Sequence, residues 1–170
     1  MDGCEECGFV YAEVAAQAIA GRLREAGPRF AAAMAAVPEP RRRPAVGVWS
    51  PLEYVCHVRD VLRVQAGRVA LALREDEPEF APMGRAELAV SERYNEQEPR
   101  AVLAELAASA EEMAGVLDRL DAAGWARTGV YNWPAVEVRT MLWLGRHTVH
   151  EVEHHLMDVR NGGQDLAGLP

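Results

Sequence analysis

The chain has 170 residues, 49% of them hydrophobic, with 26 acidic side chains against 18 basic ones and a formal net charge of -8. That length supports one domain with a sizeable core, and acidic residues spread over several segments exclude the basic stripe of a nucleic-acid surface. No apolar run approaches the roughly 18 residues of a membrane span. Asp2, Glu5 and Glu6 stand where a secretory leader would be basic and then apolar, so a cytoplasmic protein is expected. Abundant Ala, Leu, Arg and Glu, with aromatics at only 6%, predict an all-α fold. Three cysteines are too few for a disulfide framework and suit reduced thiols.

Residues 1-11 are read as an N-terminal extension carrying Cys4-Glu5-Glu6-Cys7-Gly8-Phe9. A Cys-x-x-Cys knuckle followed by Gly is the turn that lets two thiolates meet one zinc. Two more ligands are needed, and no second Cys-x-x-Cys exists. Cys4 and Cys7 are therefore a candidate zinc site weighed against a plain N-terminal tail.

Residues 12-163 carry four helical patterns, and 164-170 are a tail. Val14, Ala18, Ile19, Leu23, Ala26, Phe30, Met34 and Val37 recur at helical spacing and predict a first helix over 12-37, kinked or broken at Gly27-Pro28. After a Pro- and Arg-rich loop with Arg41-Arg42-Arg43, Trp49-Ser50-Pro51-Leu52-Glu53 combines an N-cap serine, a first-turn proline and a capping-box glutamate. That second helix is predicted to run to about Arg74 and carries His57. Residues 75-99 read as an acidic, irregular connection with a short helix over 85-94, long enough to cover a site. A third helix follows Pro99 to about Leu120, a loop with Gly124, Trp125 and Trp133 returns the chain, and a fourth helix is expected over 135-159, closed by Asn161-Gly162-Gly163. Four long helices with long connecting loops describe a four-helix bundle, whose metal sites are built from inward side chains on facing helices.

Four of the five histidines, His147, His150, His154 and His155, fall within nine residues of the fourth helix. His150 and His154 are one turn apart and share a face. An antiparallel arrangement of the second and fourth helices would bring His57 to their level, giving three imidazoles with coordination positions left open to water or substrate. His147 shares the stripe and competes for a place, whereas His155 is rotated about 100° from His154 and is expected to face elsewhere. Glu53 and Asp158 are each either an imidazole's partner or a helix-end residue. Arg146 is either an anion contact or an exposed side chain, while Trp49, Tyr54, Trp143 and Cys56 read as packing residues.

The segment from Trp49 to His57, Trp49-Ser50-Pro51-Leu52-Glu53-Tyr54-Val55-Cys56-His57, together with His150-x-x-x-His154, resembles the DinB-like (DinB/YfiT-like) metalloenzyme superfamily, which is distinct from the similarly named DNA polymerase. The resemblance covers about residues 20-160. It implies a four-helix bundle, the metal ligands His57, His150 and His154, and zinc or nickel as the ion. The Cys4/Cys7 extension lies outside the family pattern and is a candidate for a second zinc, the resemblance implying nothing about it. Relatives that use mycothiol or bacillithiol suggest a metal-dependent S-transferase joining a low-molecular-weight thiol cosubstrate to a small electrophile. The alternatives are a metal-dependent hydrolase and a non-catalytic structural or dimerising module, the last leaving room for a homodimer.

His150-Glu151-Val152-Glu153-His154 also satisfies the His-Glu-x-x-His pattern of zinc proteases. The longer metzincin pattern fails, because Met157 stands where glycine is required. No Glu follows Glu153 to serve as a gluzincin's third ligand. A protease is therefore not expected.

Overall fold

A computed structural model describes residues 3-132 and 135-167. Asp2, Trp133, Pro134 and the end of the predicted tail, 168-170, lie outside the described residues. The fold is an all-α four-helix bundle with one small hairpin. Its elements are α1 (Ala16–Arg24), α2 (Ala26–Ala35), α3 (Pro51–Arg74), α4 (Arg85–Ser91), α5 (Pro99–Asp118), α6 (Ala122–Ala126), β1 (Thr128–Tyr131), β2 (Glu137–Thr140) and α7 (Met141–Ala167).

The expected first helix is two pieces meeting at Glu25. The break falls just before Gly27-Pro28, which puts Pro28 in the first turn of α2, where a missing N–H leaves no hydrogen bond unmade. Gly27 lets α2 press against α5, since a Cβ there would stand 2.7 Å from that of Ala107.

α3 begins as expected. The Glu53 amide donates to Ser50 Oγ (3.2 Å) and the Ser50 amide donates to Glu53 Oε2 (2.8 Å). Arg43 of the preceding loop adds two donors to the same buried carboxylate. α5 starts on Pro99, with Glu98 accepting from the Ala101 amide.

The expected last helix does not begin at residue 135: residues 137-140 are instead strand β2. It pairs antiparallel with β1, Val130 opposite Val138 and Thr128 opposite Thr140. The β-branched residues Val136, Val138 and Thr140 at alternate positions favour an extended chain over a helix. α7 starts at Met141, where Thr140 Oγ1 accepts from the Trp143 amide. At its other end α7 continues through Gly162-Gly163 to Ala167. Gly162 packs against Pro51, with only 3.3 Å between Pro51 Cγ and a would-be Cβ.

The acidic connection after α3 lies along the hairpin. Val130 donates to the Pro78 carbonyl (2.9 Å), and Phe80 donates to the Val130 carbonyl (3.0 Å). Phe80 lies across Gly129, where a Cβ would stand 2.4 Å from the ring.

α3 packs on both α5 and α7, and α1 and α2 pack on the same two helices. Phe30, Leu52, Leu62, Leu106, Met113, Leu117 and Leu144 fill the centre. Pro51 beside Gly162 and His57 beside His155 show that α3 and α7 run antiparallel. Among the described residues no helix is long and apolar enough to cross a membrane.

Candidate metal centre

The rotation of α7 about its own axis sets the site. His57 lies two turns into α3 and is 2% exposed. The face of α7 that meets it carries Glu151 and His155, one turn apart. His57 Nε2 is 3.9 Å from Glu151 Oε2, His155 Nε2 is 3.5 Å from the same oxygen, and the two imidazole rings are 4.9 Å apart edge to face. One ligand atom from each of the three residues lies within 4.8 Å of those of the other two.

Glu151 is also flanked by His150 Nδ1 at 3.6 Å and His147 Nε2 at 3.7 Å. Burial opposes its charge, but the imidazoles of His150, His155 and His57 around it hold the carboxyl well below its ordinary value. It is an ionised carboxylate at the centre of the bundle. Burial likewise opposes the charged form of His155. Asp158, which meets His155 Nδ1 at 2.8 Å, and Glu151 together raise it to about 9. Asp158 thus holds one ring nitrogen while the other faces Glu151, the arrangement by which a carboxylate orients a metal-binding imidazole.

The expected set of His57, His150 and His154 is not brought together. His150 and His154 share one face, as their spacing requires, but that face points to the N-terminal segment and gathers with Cys4 and Cys7. Cys4 Sγ is 3.7 Å from His154 Nδ1. The offset of about 100° between successive helix residues, which was expected to turn His155 away, instead turns it toward His57. Burial opposes the Cys4 thiolate, but the backbone amides of Cys7 and Glu6 together with the His150 and Cys7 side chains outweigh it, lowering Cys4 to about 6.

A cavity of about 470 Å³ opens beside the centre. His57, Glu151 and His147 line it together with the apolar Val61, Val64, Phe80, Pro82 and Met83 and the polar Gln65, Arg68, Tyr131 and Asn132. The acidic connection therefore covers the site. Gln65 donates to the Tyr131 hydroxyl (3.1 Å), and Arg68 sits 4.8 Å over the Tyr131 ring while donating to the Ala81 carbonyl (2.8 Å). His147 stacks on Trp143 and shares a 2.8 Å hydrogen bond with the Tyr11 hydroxyl. Burial is the main reason that it falls to about 4.

The remaining candidates have structural partners. Glu53 caps α3 and pairs with Arg43, and Arg146 donates to the Val14 carbonyl. Cys56 is fully buried against Tyr94 and Gln97, and burial pushes its thiol up to about 12.

The centre fits a divalent ion on its own chemistry. Two imidazoles and an ionised carboxylate from two helices meet, His57 and Glu151 among them line the cavity, and His57 Nδ1 is buried without a hydrogen bond. Sequence reasoning did not single out Glu151 and His155 as the side chains that meet His57. The signal was present, since Glu151-x-x-x-His155 has the same one-turn spacing as His150-x-x-x-His154.

A family model described as the DinB superfamily matches residues 22–159. No curated protein matches the chain. Among solved structures the fold is similar to that of YfiT from Bacillus subtilis, described as "a probable metal-dependent hydrolase with an unusual four-helix bundle topology". The TM-score is 0.80 at 18% identity, over 89% of this chain and 87% of that one.

Proposed function

This chain belongs to the DinB superfamily, and we propose that it is a metal-dependent hydrolase whose divalent ion is held by His57, Glu151 and His155. The observation that carries this reading is the convergence of those three side chains, two of which, His57 and Glu151, line the cavity. His2Glu is a donor set of hydrolytic zinc centres, which keep a coordination position open. The name carried by YfiT points to the same class of reaction.

An ion bound there would polarise a substrate carbonyl and lower the pKa of a coordinated water or thiol. The chain's own residues supply the rest. Val61, Phe80 and Met83 enclose the apolar body of a small molecule, and Gln65, Arg68 and Asn132 face its polar groups. Glu151 keeps its charge in the bundle interior, and Asp158 fixes the ring of His155.

The sequence resemblance favours transfer of a low-molecular-weight thiol to a small electrophile. That reaction needs two organic molecules in the cavity at once, and about 470 Å³ is the volume of a pocket for one drug-sized ligand. No thiol of the protein lines the cavity. Hydrolysis needs one substrate and water, and is preferred for that reason.

The test is turnover of small esters, amides and lactones by protein reconstituted with zinc, nickel, manganese or ferrous iron, with and without added thiols. Metal-dependent hydrolysis that is independent of thiol and abolished by His57→Ala is expected. Turnover only with thiol present would make it a transferase. Metal binding with no turnover would make the ion a structural staple of a non-catalytic module.

A further inference from the structure

We propose that Cys4, Cys7, His150 and His154 form a second, closed zinc site that fastens the N-terminal segment to α7, separate from the ion at His57, Glu151 and His155. The backbone builds half of it. The Cys4 amide donates to the Phe9 carbonyl (2.8 Å), the Gly8 amide donates to the Cys4 carbonyl (2.9 Å), and Gly3 bridges Val10. Gly8 supplies the left-handed turn with φ +72°. This knuckle directs both sulfurs to one side, where a helix presents two imidazoles one turn apart.

One ligand atom from each of the four residues lies within 4.8 Å of all the others, and Cys4 Sγ to His154 Nδ1 is 3.7 Å. Tetrahedral zinc with its usual bond lengths sets ligand atoms about 3.3–3.8 Å apart, so a small contraction closes the set on one ion. A further observation points to a ligand: both ring nitrogens of His150 are buried without a hydrogen bond. Two thiolates and two imidazoles select zinc over harder cations. Four protein donors leave no position for substrate, so the site is structural.

The segment it fastens reaches the cavity. Phe9 packs on His150 with ring centroids 5.3 Å apart, and the Tyr11 hydroxyl bonds to His147, which lines the cavity. Engaging His150 with the cysteines also withdraws it from Glu151, only 3.6 Å away. The clamp thereby leaves His57, Glu151 and His155 as the catalytic ion's ligands.

The experiment is cobalt substitution of the purified full-length protein, read by absorption and by metal content. Sulfur-to-cobalt charge-transfer bands and the visible bands of tetrahedral cobalt are expected. They should vanish in Cys4→Ser/Cys7→Ser and in His150→Ala/His154→Ala, with a loss of about one equivalent of metal, and persist in His57→Ala. Absence of the charge-transfer bands in the wild type, or their persistence in His150→Ala/His154→Ala, would overturn the proposal. Bands retained in a wild type holding only about one equivalent would uphold this site and sink the one at His57. Alkylation of the wild type avoids reliance on variants that fail to fold. Cys4 and Cys7 should be protected until a chelator is added, and equal labelling with and without chelator would also overturn the assignment.

Discussion

Glu151 and His155 stand one turn apart on α7, with Glu151 Oε2 3.5 Å from His155 Nε2, and both face His57 across the bundle. An imidazole and a carboxylate at that spacing on one helix, met by an imidazole from α3, would hold a divalent ion beside the cavity that His57 and Glu151 line. Glu151→Gln keeps the shape and removes the charge. Metal at this centre should fall to background in mass spectrometry, while the thiolate-dependent cobalt bands remain.

Asp158 should act through His155. Its carboxylate holds His155 Nδ1 at 2.8 Å, and removing such a partner typically costs 10–100-fold in metal affinity or activity. Asp158→Asn is expected to weaken metal binding by about that factor in a chelator competition. A fall in thermal stability with unchanged affinity would mean that Asp158 only supports the helix.

The α3 cap gives a prediction about stability alone. Ser50→Ala removes the acceptor for the Glu53 amide, a change expected to cost about 1 kcal/mol in urea unfolding. The metal content should not change, since His57 lies two turns farther along the helix.

Gly129 is held small by Phe80. A methyl group there would meet the ring at 2.4 Å, so Gly129→Ala must push Phe80 out of the cavity wall. Overpacking of this kind costs about 1–3 kcal/mol. The expected outcome is a raised KM with metal content intact.

Asp60 sets part of the acid limb of stability. Burial opposes its charge, but Arg59 and the Tyr94 hydroxyl, the latter at 2.6 Å, keep it below its ordinary value. A carboxyl lowered in the folded state adds stability above its unfolded pKa, near 4, and that stability is lost as pH falls through the folded value. In metal-free protein, the stability difference between wild type and Asp60→Asn should therefore be largest near neutrality and shrink below about pH 4.

The start of α3 was legible because Ser50, Pro51 and Glu53 act within one turn, and local signals of that kind need no knowledge of the rest of the chain. The hairpin was missed for the opposite reason. β1 and β2 are four residues each, and β1 is held by hydrogen bonds between Val130 and the distant Pro78 and Phe80, contacts that no short window of sequence contains.

The sequence by itself determined the four-helix bundle, the presence of His57 near the start of one helix, and the one-turn spacing of the donors on another. It also determined that the cysteine knuckle was two ligands short of a zinc site. Only the tertiary structure decided which donors meet. α7 carries two stripes with the same spacing, His150 with His154 and Glu151 with His155, about 100° apart around the helix. Periodicity fixes which residues share a face but not the rotation of the helix against its neighbours. That rotation is set by packing of the whole core, with Leu144, Val152, Leu156 and Val159 buried, and it turns Glu151 and His155 to His57 and gives His150 and His154 to the cysteines.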